Sequence, residues 1–193
     1  MAYASTYDVE AVFGGASILV DPTRSPGCGF SALTYVAPCR LVVAVSEDMG
    51  RLAGRLSRDM APLRLALHRA LGIGRGPQSL RGRIVELAEE LSAKAGFRMG
   101  VIVTEPVYSL ARRFQLIVPL LDAAEYLPKP GDVIVSGAAW LDQRKSGILA
   151  VDLVQTAYHP TEIARTLRRV VDEETISRID QALVQMFGLP HLP

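Results

Sequence analysis

Tyr108, Arg112, Arg113 and Phe114 set two cations among two aromatic rings in one short stretch. Guanidinium groups can clamp a phosphate while neighbouring rings stack on a base, so this is one candidate nucleic-acid contact. A solvated turn beside core aromatics accounts for the same residues. Arg165, Arg168 and Arg169 form a second basic group, which could extend such a surface, face water, or pair with Asp172 and Glu173. The histidines at 68, 159 and 191 fall on a helical pattern, a turn and the tail, with no spacing that suggests metal ligation. Cys28 and Cys39 are the only cysteines, too few for a disulfide framework or a structural zinc site, and a reduced cytosolic setting fits them.

These groups must work locally. The 193 residues carry 21 Lys plus Arg against 20 Asp plus Glu, a net charge of +1, so no whole-molecule field draws in a polyanion. An apolar share of 49% with 21% charged is a globular mixture. The opening MAYASTYDVEAVF lacks a basic start followed by an apolar run, and no window approaches the roughly 18 apolar residues that cross a bilayer. The expectation is a soluble, cytoplasmic protein with no membrane partner.

The elements that would position these groups repeat. SRDMAPLRLALHRALGIG and EETISRIDQALVQMFGLP follow one pattern without gaps. The alignment that lays Gly72 on Gly188 also pairs Met60 with Ile176, Leu63 with Ile179, Ala66 with Ala182, Leu67 with Leu183 and Leu71 with Phe187. Apolar residues every three or four positions predict two amphipathic helices. Ser57 or Asp172 would cap the first turn, and Gly72 or Gly188 would close the last in a left-handed conformation. Upstream, Leu41 to Val45 and Leu149 to Val154 are β-prone runs that lead through a polar turn into an Arg-containing segment.

GIGRGPQS has a linker's composition, with the boundary near Gly76. The organisation read from this is a shortened repeat over 1–75, a linker over 76–79 and a complete domain over 80–193. Beyond the linker, RGRIVEL, GVIVTE, FQLIVPLL and GDVIVSG are short β-branched runs separated by loops, without a long helix until the end. That order predicts a mainly β (α+β) fold, a small antiparallel SH3-like barrel with a closing C-terminal helix, partly duplicated in tandem. About 75 residues bury too little surface to stand comfortably alone, so the first segment should pack on its neighbour. Trp140 is expected as a core or interface anchor.

The second half resembles the MazF/PemK toxins, in collinear order. Arg81-Gly82-Arg83-Ile84-Val85 is similar to that family's opening strand, and Phe97 to Val103 to its Arg-Pro-containing second strand. Val107-Tyr108 and Leu116 to Leu120 resemble the next loop and the valine-proline strand. Ile148 to Thr156 is similar to the strand carrying valine, aspartate and glutamine, and Asp172 to Leu189 to the terminal helix. Leu41 to Ile73, with Gly54-Arg55-Leu56-Ser57, resembles the final strand and helix of the same family, and ILVDPTRSPG its first strand and loop.

The resemblance implies a toxin of a toxin-antitoxin pair: an endoribonuclease that cuts single-stranded RNA without metal or other cofactor, in a groove between two barrel copies. It also implies an antitoxin partner, an acidic segment that orders on binding, and leaves a further homodimer open. It puts Arg98 at the catalytic arginine, where a cation would hold charge developing on phosphorus, although a surface arginine at a strand start explains Arg98 equally. Asp122 is the candidate base for the 2′-hydroxyl, against the reading of a loop aspartate. Arg81 and Thr156 join Arg112 and Arg113 as expected RNA contacts. Several positions depart from the family's pattern. Leu121 and Asp122 replace its threonine or serine, and leucine donates no hydrogen bond; Arg83, Met99, Leu153 and Gln155 replace further residues. A catalytically silent binding module is therefore the alternative, and a CcdB-like gyrase inhibitor a third.

Overall fold

A computed structural model of the chain describes residues 2–5, 18–41, 60–73, 80–104, 114–138, 141, 146–158 and 161–189. The strands are β1 (Ala2–Ser5), β2 (Ile18–Val20), β3 (Thr34–Leu41), β4 (Arg83–Leu87), β5 (Met99–Ile102), β6 (Phe114–Asp122), β7 (Val133–Ser136), β8 (Ser146–Leu149), β9 (Gln155–Tyr158) and β10 (Ile163–Val170). The helices are α1 (Met60–Leu71), α2 (Glu89–Ala95) and α3 (Glu173–Phe187). The fold is mostly antiparallel α+β with a closing C-terminal helix, as the order of β-branched runs predicts.

The β-branched and aliphatic runs of β4, β5 and β6 become strands whose two faces are both buried. Ile84, Val101, Leu116 and Val118 face one apolar cluster, while Val85, Leu87, Ile102 and Ile117 face a second. Side chains alternate across a strand, so burial on both faces requires near-continuous apolar sequence. FQLIVPLL has that character.

The larger sheet runs β10-β4-β5-β6-β8-β7, with β9 also on β6. Strand β6 pairs with β5 through Ile117 to Leu120, and with β9 and β8 through its two ends. The stretch Ile148 to Thr156, expected as a single strand, is interrupted. A 3₁₀ turn at Val151–Leu153 separates β8 from β9, and the pairing with β6 resumes at Gln155. Helix α3 contacts β7, one end of the strand order. Its Ile176 also lies against Gly82, the corner leading into β4 beside β10, so the sheet curls around the helix. Gly100 lets β5 and β6 approach: a Cβ there would collide with the Ile117 Cγ2 and lie 2.8 Å from the Val118 carbonyl oxygen.

Both predicted helices form and end alike. Gly72 and Gly188 take positive φ of 59° and 57°, the left-handed conformation that releases a helix terminus. Asp172 caps α3 by accepting from the Thr175 N–H at 2.7 Å. Of the residues the repeat pairs, Ala66 and Ala182, and Leu67 and Leu183, are all buried, and Leu67, Ala182 and Leu183 lie in one cluster that both helices share. The smaller sheet, β1-β3-β2, packs on α1, and β3 also reaches β6 and β9. The first segment therefore packs on the second. The linker stretch 74–79, the run 42–45, Gly54 to Ser57 and Trp140 lie outside the described residues, as do His159 and His191.

Candidate functional site

A cleft of about 560 Å³ opens on the curled sheet. Its floor includes Met99 and Leu120, which are cross-strand partners on β5 and β6. Arg98, Asp122, Glu125 and Arg169 bring charge to its lining. All of its lining residues fall between Gly96 and Arg169, so this cleft belongs to the second half of the chain and is not a groove between the first and second segments.

One row of cross-strand partners crosses the sheet here. Arg165 of β10 stands opposite Glu86 of β4, Glu86 opposite Met99, Met99 opposite Leu120, and Leu120 opposite Leu149. Directly opposed residues project from the same face, so the row passes from Arg165 and Glu86, which do not line the cleft, through Met99 and Leu120, which do, to Leu149 in the apolar core. Arg98 precedes Met99 and reaches back to Glu86. Its Nε donates to Glu86 Oε1 at 2.7 Å and its Nη2 lies 2.5 Å from the same oxygen. The Arg165 Nε donates to Glu86 Oε2 at 2.5 Å. The hydrogen bond from Arg98, and then that from Arg165, hold the Glu86 carboxyl below its ordinary 4.5, since both stabilise its charged form.

Asp122 ends β6 with its Oδ1 accepting from the Ala124 N–H at 2.9 Å, an Asx turn. Leu121, where the resemblance expects a hydroxyl, also lines the cleft. The structure thus brings Arg98 and Asp122 to one cleft.

The other expected contacts part company with them. Arg81 is a correction. Its side chain is fully buried, paired with Asp180 on α3, and its Nε donates to the Leu71 carbonyl at 3.1 Å. A guanidinium enclosed in this way offers no surface to RNA, and it joins the end of α1 to α3 instead. Thr156 is half-buried on β9 opposite Leu116 and is not part of the cleft lining. Arg112 and Arg113 lie outside the described residues.

No protein-family model matches the chain, and no curated protein matches it. Among solved structures the chain is similar to an endoribonuclease in complex with its cognate antitoxin from a mycobacterial species, with 21% identity, coverage of 60% of this chain and 100% of that one, and a TM-score of 0.46. It is also similar to the MazE-MazF complex of Deinococcus radiodurans, with 14% identity, coverage of 60% and 98%, and a TM-score of 0.46.

Sequence reasoning missed Glu86 and its pairing with Arg165. One signal was present: in RIVEL, Glu86 falls on the face of Ile84, where an apolar residue would continue the pattern. Its partner on β10 is 79 residues away, and only strand pairing connects them. Among the described residues no group of three His, Cys, Asp or Glu could hold a metal ion, and no helix is long and apolar enough to cross a membrane.

Proposed function

We propose that this chain is the toxin of a toxin-antitoxin pair, of the MazF/PemK kind, and that it cleaves single-stranded RNA at the cleft between Arg98 and Asp122. The observation that carries the reading is the position of Arg98: an exposed guanidinium on the rim of a cleft, at the place where the collinear motifs put a catalytic arginine. In that role Arg98 stabilises the charge that builds on the phosphorane oxygens as the 2′-oxygen attacks. Asp122 is the carboxylate nearest in role to a base for the 2′-hydroxyl proton. The first segment acts as a shortened copy that completes a pseudo-dimer, and an acidic antitoxin tail competes for the arginines of the cleft.

The decisive measurement is incubation of purified protein with a long, weakly structured RNA in chelator, beside Arg98→Ala. Removing one donor to a developing oxyanion typically slows turnover about 10²- to 10³-fold. Discrete fragments from the native chain, lost in the variant, are the expected result. Arg98 is exposed, so the variant should keep its stability within about 0.5 kcal/mol.

One observation favours a second reading, a silent binding module that retains the fold. Leu121 puts an apolar side chain where the cleft needs a donor, and the Asp122 carboxylate already holds the turn at Ala124. Intact RNA from folded native protein would select this reading.

A further inference from the structure

Glu86 occupies an unusual position for an acidic residue beside a site that must attract phosphate. Its side chain is 13% exposed, whereas the Arg98 and Arg165 side chains that it bridges are 76% and 67% exposed. The carboxylate therefore lies beneath two outward guanidinium groups and is not a stand-in for an anion between them. Each guanidinium has five N–H donors. Glu86 engages Nε and Nη2 of Arg98 and Nε of Arg165, which leaves further donors on two side chains that are mostly exposed to solvent. Strand pairing sets Arg165 opposite Glu86, and Arg98 is held beside them because Met99, the next residue, pairs with Glu86 and the Arg98 carbonyl accepts from the Leu87 N–H at 2.9 Å. The local sum is two positive charges against one negative.

We propose that Arg98 and Arg165 form a single two-guanidinium site for a phosphate group, with Glu86 as the positioning residue that sets their spacing. Resting on the reading above, the occupant is a backbone phosphate of single-stranded RNA, and Arg165 becomes a second binding residue contributed by the edge strand. Planar forks suit this role because they grip phosphate oxygens through paired donors at a fixed angle.

Glu86→Gln separates positioning from simple attraction. The change removes a negative charge, so Coulomb attraction alone predicts tighter binding of an anion. A glutamine amide keeps one acceptor oxygen and puts an NH2 donor in place of the other, so one of the two arginines meets a donor where it had an acceptor. Positioning therefore predicts weaker binding despite the more favourable charge.

Two probes test this on the full-length chain. The first is a labelled 2′-O-methyl oligoribonucleotide in chelator, which has no 2′-hydroxyl to attack the phosphorus. Arg165→Gln should weaken its binding about tenfold and reduce the salt slope by about 0.7, the contribution of one lost phosphate contact on a single strand. Arg168→Gln, the same charge change on an exposed residue of the same strand, should do neither, and Glu86→Gln should also weaken binding. The second probe is inorganic phosphate, followed through the Nε–H resonances of Arg98 and Arg165. Both should shift together in the native chain, and the joint response should disappear in Glu86→Gln. Phosphate response without oligonucleotide binding would defeat the RNA reading and leave the anion site standing. No phosphate response, equal effects of Arg165→Gln and Arg168→Gln, or tighter binding by folded Glu86→Gln would each overturn the site itself.

Discussion

Residue type alone does not distinguish Arg81 from Arg98, since both are arginines at the start of strand-like runs. The structure separates them by environment. Arg98 lies over its carboxylate in water, where an ion pair contributes little to stability. Arg81 is enclosed with Asp180 and the Leu71 carbonyl, where the loss of one partner strands a charge away from solvent. Asp180→Ala should therefore lower the free energy of unfolding by about 3–5 kcal/mol, measured by urea denaturation, while Glu86→Ala, which leaves two arginines already exposed to water, has a much smaller effect. Equal effects of the two substitutions would contradict the burial assigned to Arg81. What the sequence cannot state is burial by a distant element: Arg81 and Asp180 are 99 residues apart, and nothing local at Arg81 announces that α3 will cover it.

Elements were easier to read than their partners. The helix over Glu173–Phe187 declares itself through Ile176, Ile179, Leu183 and Phe187 on one stripe, through the Asp172 cap and through Gly188, because each signal is local. Leu183 is fully buried in the shared cluster. Leu183→Ala should cost about 2–5 kcal/mol, seen as a lower thermal midpoint, and an unchanged midpoint would remove α3 from the core. The break in the strand from Ile148 to Thr156 was not legible, since Val151, Leu153 and Val154 are as β-prone as their neighbours. The 3₁₀ turn arises from packing against α3 and β6, a tertiary preference that overrides local propensity. Likewise α2 follows β4 as only seven residues, too short for its periodicity to stand out.

The two segments meet in one core, and a titrating group sits at that junction. His68 on α1 is buried, and desolvation lowers its pKa from the ordinary 6.5, opposed by the nearby Asp180 charge on α3. Burial penalises the imidazolium, so the folded chain takes up this proton less readily than the unfolded chain. The sign follows from linkage: stability attributable to His68 is complete above about pH 6.5 and is lost as pH falls from there through the lower folded value, because the unfolded state binds more protons over that interval. The carboxyls held low by their partners, Glu86 and Asp21, contribute their own losses only at more acidic pH, below their ordinary values. Urea midpoints measured from pH 7.5 downward should therefore show a first decline beginning near pH 6.5, before the carboxylate region. His68→Gln should remove that first decline and leave the acid limb in place. A native profile flat down to the carboxylate region would mean that the α1 histidine is hydrated, and with it that α1 does not seal the core against α3.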